Sequence, residues 1–107
     1  MLVVRTLPIM TAMALLAMTA PCGAATITIV MQNLVITPAE VPAKVGDTIA
    51  WINKDVVAHT ATAQQGGAFD VMLPAAKSGS LVVNKAGTFP YFCRFHPNMK
   101  ATLTVAP

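Results

Sequence analysis

Runs of alternating polar and apolar residues occupy most of the chain after residue 25, and each run has the length of one β-strand. The first is residues 26–30 (TITIV), and the most regular is residues 48–53 (TIAWIN), which places Ile49 and Trp51 on one face. Glycine, proline and asparagine separate these runs, as they do where turns join strands. No part of this region has the 3.6-residue period of an amphipathic helix.

Further strand-like runs follow along the chain, at residues 34–36, 59–63, 80–83, 88–93 and 101–105. Pro42 interrupts residues 41–45, which predicts an edge strand or an irregular one because proline has no N–H to donate within a sheet. Many short strands at regular spacing are typical of two sheets packed face to face. We therefore predict an all-β fold, an antiparallel Greek-key β-sandwich, with aliphatic and aromatic side chains between its sheets.

The start of the chain has a different composition from the rest. Arg5 is followed by an apolar run at residues 7–20 and then by small residues, which is the layout of a secretory signal peptide. A transmembrane helix is the alternative, but this run is short for one and contains a proline. We expect a cleavable signal peptide at residues 1–25 and one exported, periplasmic domain at residues 26–107.

Cleavage after Ala24 or Ala25 would leave six basic and four acidic side chains, a net charge of about +2. This charge is too small to indicate nucleic-acid binding. We therefore expect neither a nucleic-acid partner nor membrane insertion of the mature chain. A length of about 80 residues is small but sufficient for one hydrophobic core, and we expect a monomer.

The residues with the most distinctive chemistry lie near the C-terminus, where Cys93, His96 and Met99 follow one another at three-residue intervals. Cys93 ends one predicted strand, His96 and Met99 lie in the loop before the last one, and His59 is the one other histidine of the sequence. Two imidazoles, one thiolate and a weakly bound thioether are the ligand set of a blue-copper electron-transfer site. This set suits both Cu(II) and Cu(I), so little rearranges on reduction. The sequence predicts one type 1 copper ion on these four residues.

Each of these residues also has an ordinary structural interpretation. Cys93 is the one thiol left after Cys22 departs with the signal peptide, and it fits a buried, inert cysteine. His59 or Met99, taken alone, fits a packed core residue. Their combination favours a metal, since structural zinc takes more cysteine or histidine and an iron–sulfur cluster needs several thiolates. Cysteine–histidine catalysis needs an oriented base and a substrate pocket, so we do not expect an enzyme.

These motifs resemble those of the cupredoxins, in particular small blue copper proteins of the plastocyanin and amicyanin type. Residues 45–53 (VGDTIAWIN) are similar to the family's strand before its first histidine ligand, and residues 87–93 (GTFPYFC) to its lead-in to the cysteine. The short spacing from Cys93 to Met99 is most similar to amicyanin. The resemblance covers the whole mature chain and implies the same four copper ligands.

The resemblance also implies a docking surface and points to two departures from the family pattern. The edge of His96 is expected in an apolar patch with Phe95, Pro97 and Val57, where redox partners dock. Thr60 stands where the family usually has an asparagine that ties the two ligand loops together, and an alanine replaces a common glycine two residues after Met99. Both departures leave the predicted ligands intact, but contacts around the ligands tune such sites.

The function expected from these observations is a periplasmic shuttle of single electrons between larger redox proteins. Arg94 and Lys100 flank the ligand loop, which favours a partner with an acidic docking face because complementary charge raises association rates. The alternative is a periplasmic protein that stores or delivers copper with the same ligands. A third possibility is a metal-free interaction module, in which His59 would matter only for local stability.

Overall fold

The computed structural model describes residues 3–4 and 23–107. Nine β-strands form its regular structure: β1 (Thr26–Gln32), β2 (Val35–Thr37), β3 (Glu40–Lys44), β4 (Thr48–Asn53), β5 (His59–Ala63), β6 (Asp70–Leu73), β7 (Ser78–Val82), β8 (Gly87–Phe92) and β9 (Lys100–Ala106). Within the described residues no helix is long and apolar enough to cross a membrane. The predicted signal peptide lies almost entirely outside the described residues.

The strands form two sheets, one of four strands in the order β2-β1-β4-β7 and one of five in the order β3-β9-β8-β5-β6. The prediction of an all-β sandwich is confirmed. Both sheets are mixed, however, because β1 pairs with β4 in parallel and β3 pairs with β9 in parallel. We expected only antiparallel pairs. The alternating pattern of a strand is the same for both directions, so it carries no information on this point.

The core forms where the inward faces of the two sheets meet. Ile49 and Trp51 on β4 are fully buried, as predicted. The Trp51 ring lies edge-on to Tyr91 of the other sheet, with ring centroids 5.8 Å apart, and Phe69 packs against both rings. Trp51 Nε1 donates a hydrogen bond to the hydroxyl of Tyr91 at 3.2 Å. The polar ends of these large side chains are therefore satisfied inside the core.

Pro42 lies in β3, at the edge of the five-stranded sheet. This agrees with the prediction of an edge strand, where a missing N–H does least harm.

Asn53, at the end of β4, fixes the segment that leads to His59. Its side chain is 1% exposed, and Nδ2 donates hydrogen bonds to the carbonyl oxygens of Val57 at 2.9 Å and Leu73 at 3.0 Å. Its Oδ1 accepts a hydrogen bond from the Asp55 N–H at 2.9 Å. One buried amide thus holds residues 54–58 in a defined loop, which sets where β5 and His59 begin.

Candidate metal centre

Two histidines and one cysteine from separate parts of the chain converge at one end of the sandwich. His59 is the first residue of β5, Cys93 directly follows β8, and His96 lies in the loop before β9. The possible ligand atoms of these three residues all lie within 4.8 Å of one another. The Cys93 Sγ is 3.6 Å from Nδ1 of His59 and 3.7 Å from Nδ1 of His96. Both imidazoles therefore present the same nitrogen to the thiol.

These separations fit a trigonal metal site. Bond lengths of about 2.0 Å to an imidazole nitrogen and about 2.3 Å to a thiolate sulfur, taken from zinc sites, place the two atoms about 3.7 Å apart when they meet at about 120°. The two imidazole rings are tilted by 74° with centroids 5.1 Å apart, so they approach the central point from different directions. A trigonal arrangement of two imidazoles and one thiolate is the equatorial set of a type 1 copper site.

Met99 returns to the site through a tightly turned loop. The N–H of His96 donates to the Cys93 carbonyl at 3.3 Å, and the N–H of Met99 donates to the His96 carbonyl at 2.9 Å. The Cys93 N–H donates to the Met99 carbonyl at 3.1 Å and closes the loop. Met99 is 2% exposed and belongs to the same buried cluster as Cys93. Its role as the weak axial ligand stays a prediction, as does the full set of four ligands.

The site is buried on one side and accessible on the other. His59 and Cys93 are completely buried, whereas His96 is half-buried. Phe95 and Pro97, on either side of His96, are exposed, and so is Val57 from the loop before His59. These are the residues that the family resemblance implied for a docking patch, and the neighbouring Val56 extends the exposed apolar surface.

Thr60 ties the two ligand segments together, although it replaces the usual asparagine. Its Oγ1 accepts a hydrogen bond from the N–H of Arg94 at 2.9 Å and lies 2.9 Å from the hydroxyl of Thr62. Thr62 donates its proton to Asp70 at 2.7 Å, because a carboxylate only accepts. The Thr60 hydroxyl is then the donor to Thr62. A series of hydrogen bonds thus runs from Asp70 through Thr62 and Thr60 to the backbone of Arg94, and it connects β5 to the segment after Cys93.

Asp70 and Asp55 were not predicted from the sequence to take part in the site. The hydrogen bond from Thr62 lowers the pKa of Asp70, and Arg94 adds to this effect through a contact of 3.2 Å between Nε and Oδ1. Asp55 Oδ2 lies 2.7 Å from Nε2 of His59. That contact lowers the pKa of Asp55, and the backbone N–H groups of Leu34 and Asn33 lower it further against the opposing effect of burial. Acidic residues thus support both ligand segments.

Two neighbours interact with the positive charge of Arg94. It pairs with Asp70 as described, and its guanidinium lies 5.6 Å from the ring centroid of Phe95. The pair is largely exposed, so it is weak in energy, but it offsets part of the positive charge that the sequence analysis assigned to this loop. Lys100, at the start of β9, is exposed.

Comparison with known proteins gives a consistent assignment. The sequence profile of the Cupredoxin-like domain matches residues 6–105. The chain is 33% identical to amicyanin of Paracoccus versutus over 75 residues, 65% of this chain and 56% of that protein. It is 33% identical to plastocyanin of Scenedesmus fuscus over 85 residues, 67% of this chain and 87% of that protein. The chain therefore spans little more than half the length of the amicyanin that it matches.

Solved structures agree with the sequence matches. The amicyanin structure from Paracoccus versutus superposes with a TM-score of 0.67 at 25% identity, covering 76% of this chain and 81% of that one. A Cu(I) structure of an amicyanin variant superposes with a TM-score of 0.69 at 26% identity, covering 76% and 82%. The family and the donor set together identify the cofactor as one type 1 copper ion. Because the family profile matches most of the chain and the fold agrees with it, the chain belongs to the cupredoxin family.

Proposed function

We propose that the protein carries single electrons between redox proteins through one type 1 copper ion. His59 and His96 would bind the metal through Nδ1, Cys93 through its thiolate, and Met99 would supply the weak axial sulfur. The observation that supports this most directly is the pair of distances from Cys93 Sγ to the two Nδ1 atoms, 3.6 and 3.7 Å. When bound, the copper supplies the one-electron chemistry, and the protein supplies geometry, burial and access.

The scaffold suits a carrier because it restrains the ligands before any metal is bound. His59 and Cys93 belong to the sandwich itself and are fully buried. The Thr60 hydroxyl holds the Arg94 N–H, so the segment after Cys93 is fixed to β5. A preorganised site of this kind changes little between Cu(II) and Cu(I). No catalytic step of the protein's own is part of the proposal.

The proposed route for electrons is the edge of His96. This ligand is half-buried, and the exposed Phe95 and Val57 supply an apolar surface beside it. A small apolar contact around an exposed ligand favours brief docking, and electron-transfer encounters have interfaces at the small end of the range. The partner would be a redox protein with an acidic face, attracted chiefly by Lys100 since Arg94 is paired with Asp70.

We also propose that the N-terminal signal peptide directs export to the periplasm, that its cleavage falls one residue before the boundary at residue 25 expected from the sequence, and that the mature protein is a monomer. Two contacts favour cleavage after Ala24 over cleavage after Ala25. The Ala25 nitrogen is 2.9 Å from Asp47 Oδ1, and the Ala25 carbonyl accepts a hydrogen bond from the Thr48 N–H at 2.9 Å. A new N-terminus at Ala25 would place an ammonium group beside Asp47. Mass spectrometry of the exported protein should therefore give a chain starting at Ala25.

The central experiment is copper binding by the purified exported protein. One equivalent of Cu(II) should produce an intense blue or green absorption band from charge transfer between the Cys93 thiolate and copper. Cys93→Ser should abolish this band completely, because serine offers no thiolate. A native protein that stays colourless with Cu(II) would refute the proposed function, and so would a Cys93→Ser variant with an unchanged spectrum.

A second measurement separates a carrier from a protein that stores or delivers copper. A carrier should keep its copper through many cycles of reduction and reoxidation in the presence of a competing chelator. The restrained, buried ligands favour slow release. Loss of copper to the chelator within a few cycles would support the delivery function instead.

A further inference from the structure

We propose that Asp55 is a positioning residue that orients His59 and lowers the reduction potential of the copper site. The inference rests on the proposed function, because it concerns how one proposed ligand is tuned. It starts from the contact between Asp55 and His59, which was not predicted from the sequence. Asp55 precedes His59 by four residues, and the intervening loop turns so that the Asp55 carboxylate reaches the far nitrogen of the ring.

The contact determines which ring nitrogen carries the proton. Asp55 Oδ2 lies 2.7 Å from Nε2 of His59, and a carboxylate can only accept a hydrogen bond. Nε2 must therefore be protonated, which leaves Nδ1 of the neutral ring as a free lone pair. Nδ1 is the atom that faces the Cys93 Sγ at 3.6 Å. Asp55 thus selects the form of His59 that can bind a metal at the centre of the site.

Other contacts hold the carboxylate in place. Asp55 Oδ1 accepts a hydrogen bond from the Asn33 N–H at 2.7 Å, and Oδ2 accepts one from the Leu34 N–H at 3.1 Å. Asn33 and Leu34 have positive φ angles of 55° and 61°, and this left-handed turn between β1 and β2 presents both N–H groups to Asp55. The backbone of Asp55 is itself fixed by Asn53, as described above.

The consequence for the metal follows from charge. A carboxylate that accepts the Nε2 proton increases the electron density on the imidazole and strengthens its bond to a metal. The effect is larger for Cu(II) than for Cu(I), because the more highly charged ion gains more from a stronger donor. Asp55 should therefore favour the oxidised state and lower the potential. An aspartate that only anchored the turn between β1 and β2 would change stability but neither the ring tautomer nor the potential.

The first test uses the native, metal-free protein and needs no variant. Nitrogen-15 NMR should show His59 with the proton on Nε2, and that proton should exchange slowly with water because the ring is fully buried and its proton is hydrogen-bonded. A proton on Nδ1, or an Nε2 proton that exchanges rapidly, would overturn the proposal. This result does not depend on whether copper binds.

The second test measures the potential of the copper-loaded Asp55→Asn variant. The variant removes the charge with little change in shape. Its amide has one oxygen instead of two, so it cannot accept all the hydrogen bonds that Asp55 accepts from the His59 ring and from the turn. Loss of such a supporting contact typically costs 10–100-fold in metal affinity. We expect Cu(II) affinity to fall about tenfold relative to Cu(I), which raises the potential by about 59 mV for one electron.

The matched control is Glu40→Gln, which makes the same change in net charge on an exposed residue of β3, a strand that contributes none of the proposed ligands. It should leave the potential near the native value. If Asp55→Asn shifts the potential no more than Glu40→Gln while its absorption band is native, Asp55 does not tune the site. A native protein without that band would instead refute the proposed function, so the two failures are distinguishable.

Discussion

The two histidines of the site are held in opposite ways. His59 is completely buried, begins β5, which has a neighbouring strand on each side, and has its outer nitrogen fixed by Asp55 at 2.7 Å. His96 is half-buried and lies on a loop held mainly by backbone hydrogen bonds between Cys93, His96 and Met99. Neighbours inside the protein therefore control one ligand, whereas solvent and docking partners reach the other.

The difference indicates a division of labour. A ligand surrounded by protein can set the properties of the metal, because its hydrogen bonds do not change when a partner arrives. A ligand with an exposed edge can pass electrons outward, but its environment changes with each encounter. We call these the buried side, comprising Asp55 and His59, and the open side, comprising residues 94–98. If this division holds, substitutions on the two sides should have different effects.

Removal of each imidazole in turn should separate the two sides most clearly. His96→Gly leaves a gap at the surface that free imidazole can enter, so added imidazole should restore most of the absorption band with Cu(II). His59→Gly leaves a gap with no exposure, and imidazole should restore little. Absorption spectra with and without imidazole measure both outcomes. Equal restoration in the two variants would show that imidazole enters the buried side as readily as the open side. That result would contradict the proposed difference between them.

The contact between Trp51 and Tyr91 joins the two sheets in the core, and a pH titration can probe it. Burial raises the pKa of Tyr91 to about 12, and the hydrogen bond from Trp51 opposes part of that shift. Tyr91 is the one tyrosine in the sequence, so tyrosinate absorbance reports it directly. The folded state should titrate near 12, against about 10 in denaturant.

The sign of the effect on stability follows from that shift. Because the folded-state pKa of Tyr91 exceeds the unfolded value, the stability that depends on the neutral hydroxyl is fully present below pH about 10. It should be lost as the pH rises from about 10 to about 12, by up to about 2.7 kcal/mol for two pKa units. Denaturant unfolding across this range measures the loss, and Tyr91→Phe should not show it. A folded-state midpoint near 10 would contradict the prediction.

The link between the two sides should be weaker than the core contact. Thr60→Val removes the acceptor of the Arg94 N–H without a large change in volume, and a part-buried donor left unpaired costs about 1–3 kcal/mol. We expect a lower free energy of unfolding and faster amide exchange at residues 94–98. Thr60→Ser is the control, since it keeps the hydroxyl and loses one methyl group, about 0.8 kcal/mol.

An unchanged exchange rate in Thr60→Val would mean that the backbone turns alone hold the open side. The two sides would then be more independent of each other, since no side chain would connect them.

The sequence predicted the parts of this molecule that depend on local pattern. Alternation placed Ile49 and Trp51 in the core, and the three-residue intervals from Cys93 identified the loop that the structure brings beside His59. Strand direction was not predictable, because an alternating pattern is the same for parallel and antiparallel neighbours. The pairing of β1 with β4 depends on how the chain crosses between sheets, which is a property of the whole fold.

The contacts that support the site could not be predicted from the sequence, for a related reason. Asp55 reaches His59 because Asn53 and the turn at Asn33 and Leu34 fix its position, and that turn is remote from Asp55 in sequence. The resemblance implied a shorter tether at Thr60, because a threonine side chain is shorter than that of asparagine. The structure provides a direct Thr60 contact to Arg94 and extends it through Thr62. An acidic residue four positions before a proposed histidine ligand was the one signal available.

The smallest effect concerns charge on the open side. Asp70→Asn removes the acidic partner of Arg94, and Lys100→Gln removes a positive charge beside the same loop, so the two variants change the net charge by one unit in opposite directions. For a trivalent anion on the order of 10 Å away in water, one unit of charge is worth roughly 1 kcal/mol before screening, or about fivefold in rate.

Ferricyanide, a small trivalent oxidant, should therefore oxidise the reduced protein faster in Asp70→Asn and slower in Lys100→Gln. Stopped-flow measurements at low salt test this, and both differences should shrink at high salt as the charges are screened. Glu40→Gln supplies the matched change away from the proposed ligands, and its rate should stay closer to native. If all three variants reacted alike, electrons would not leave through the open side.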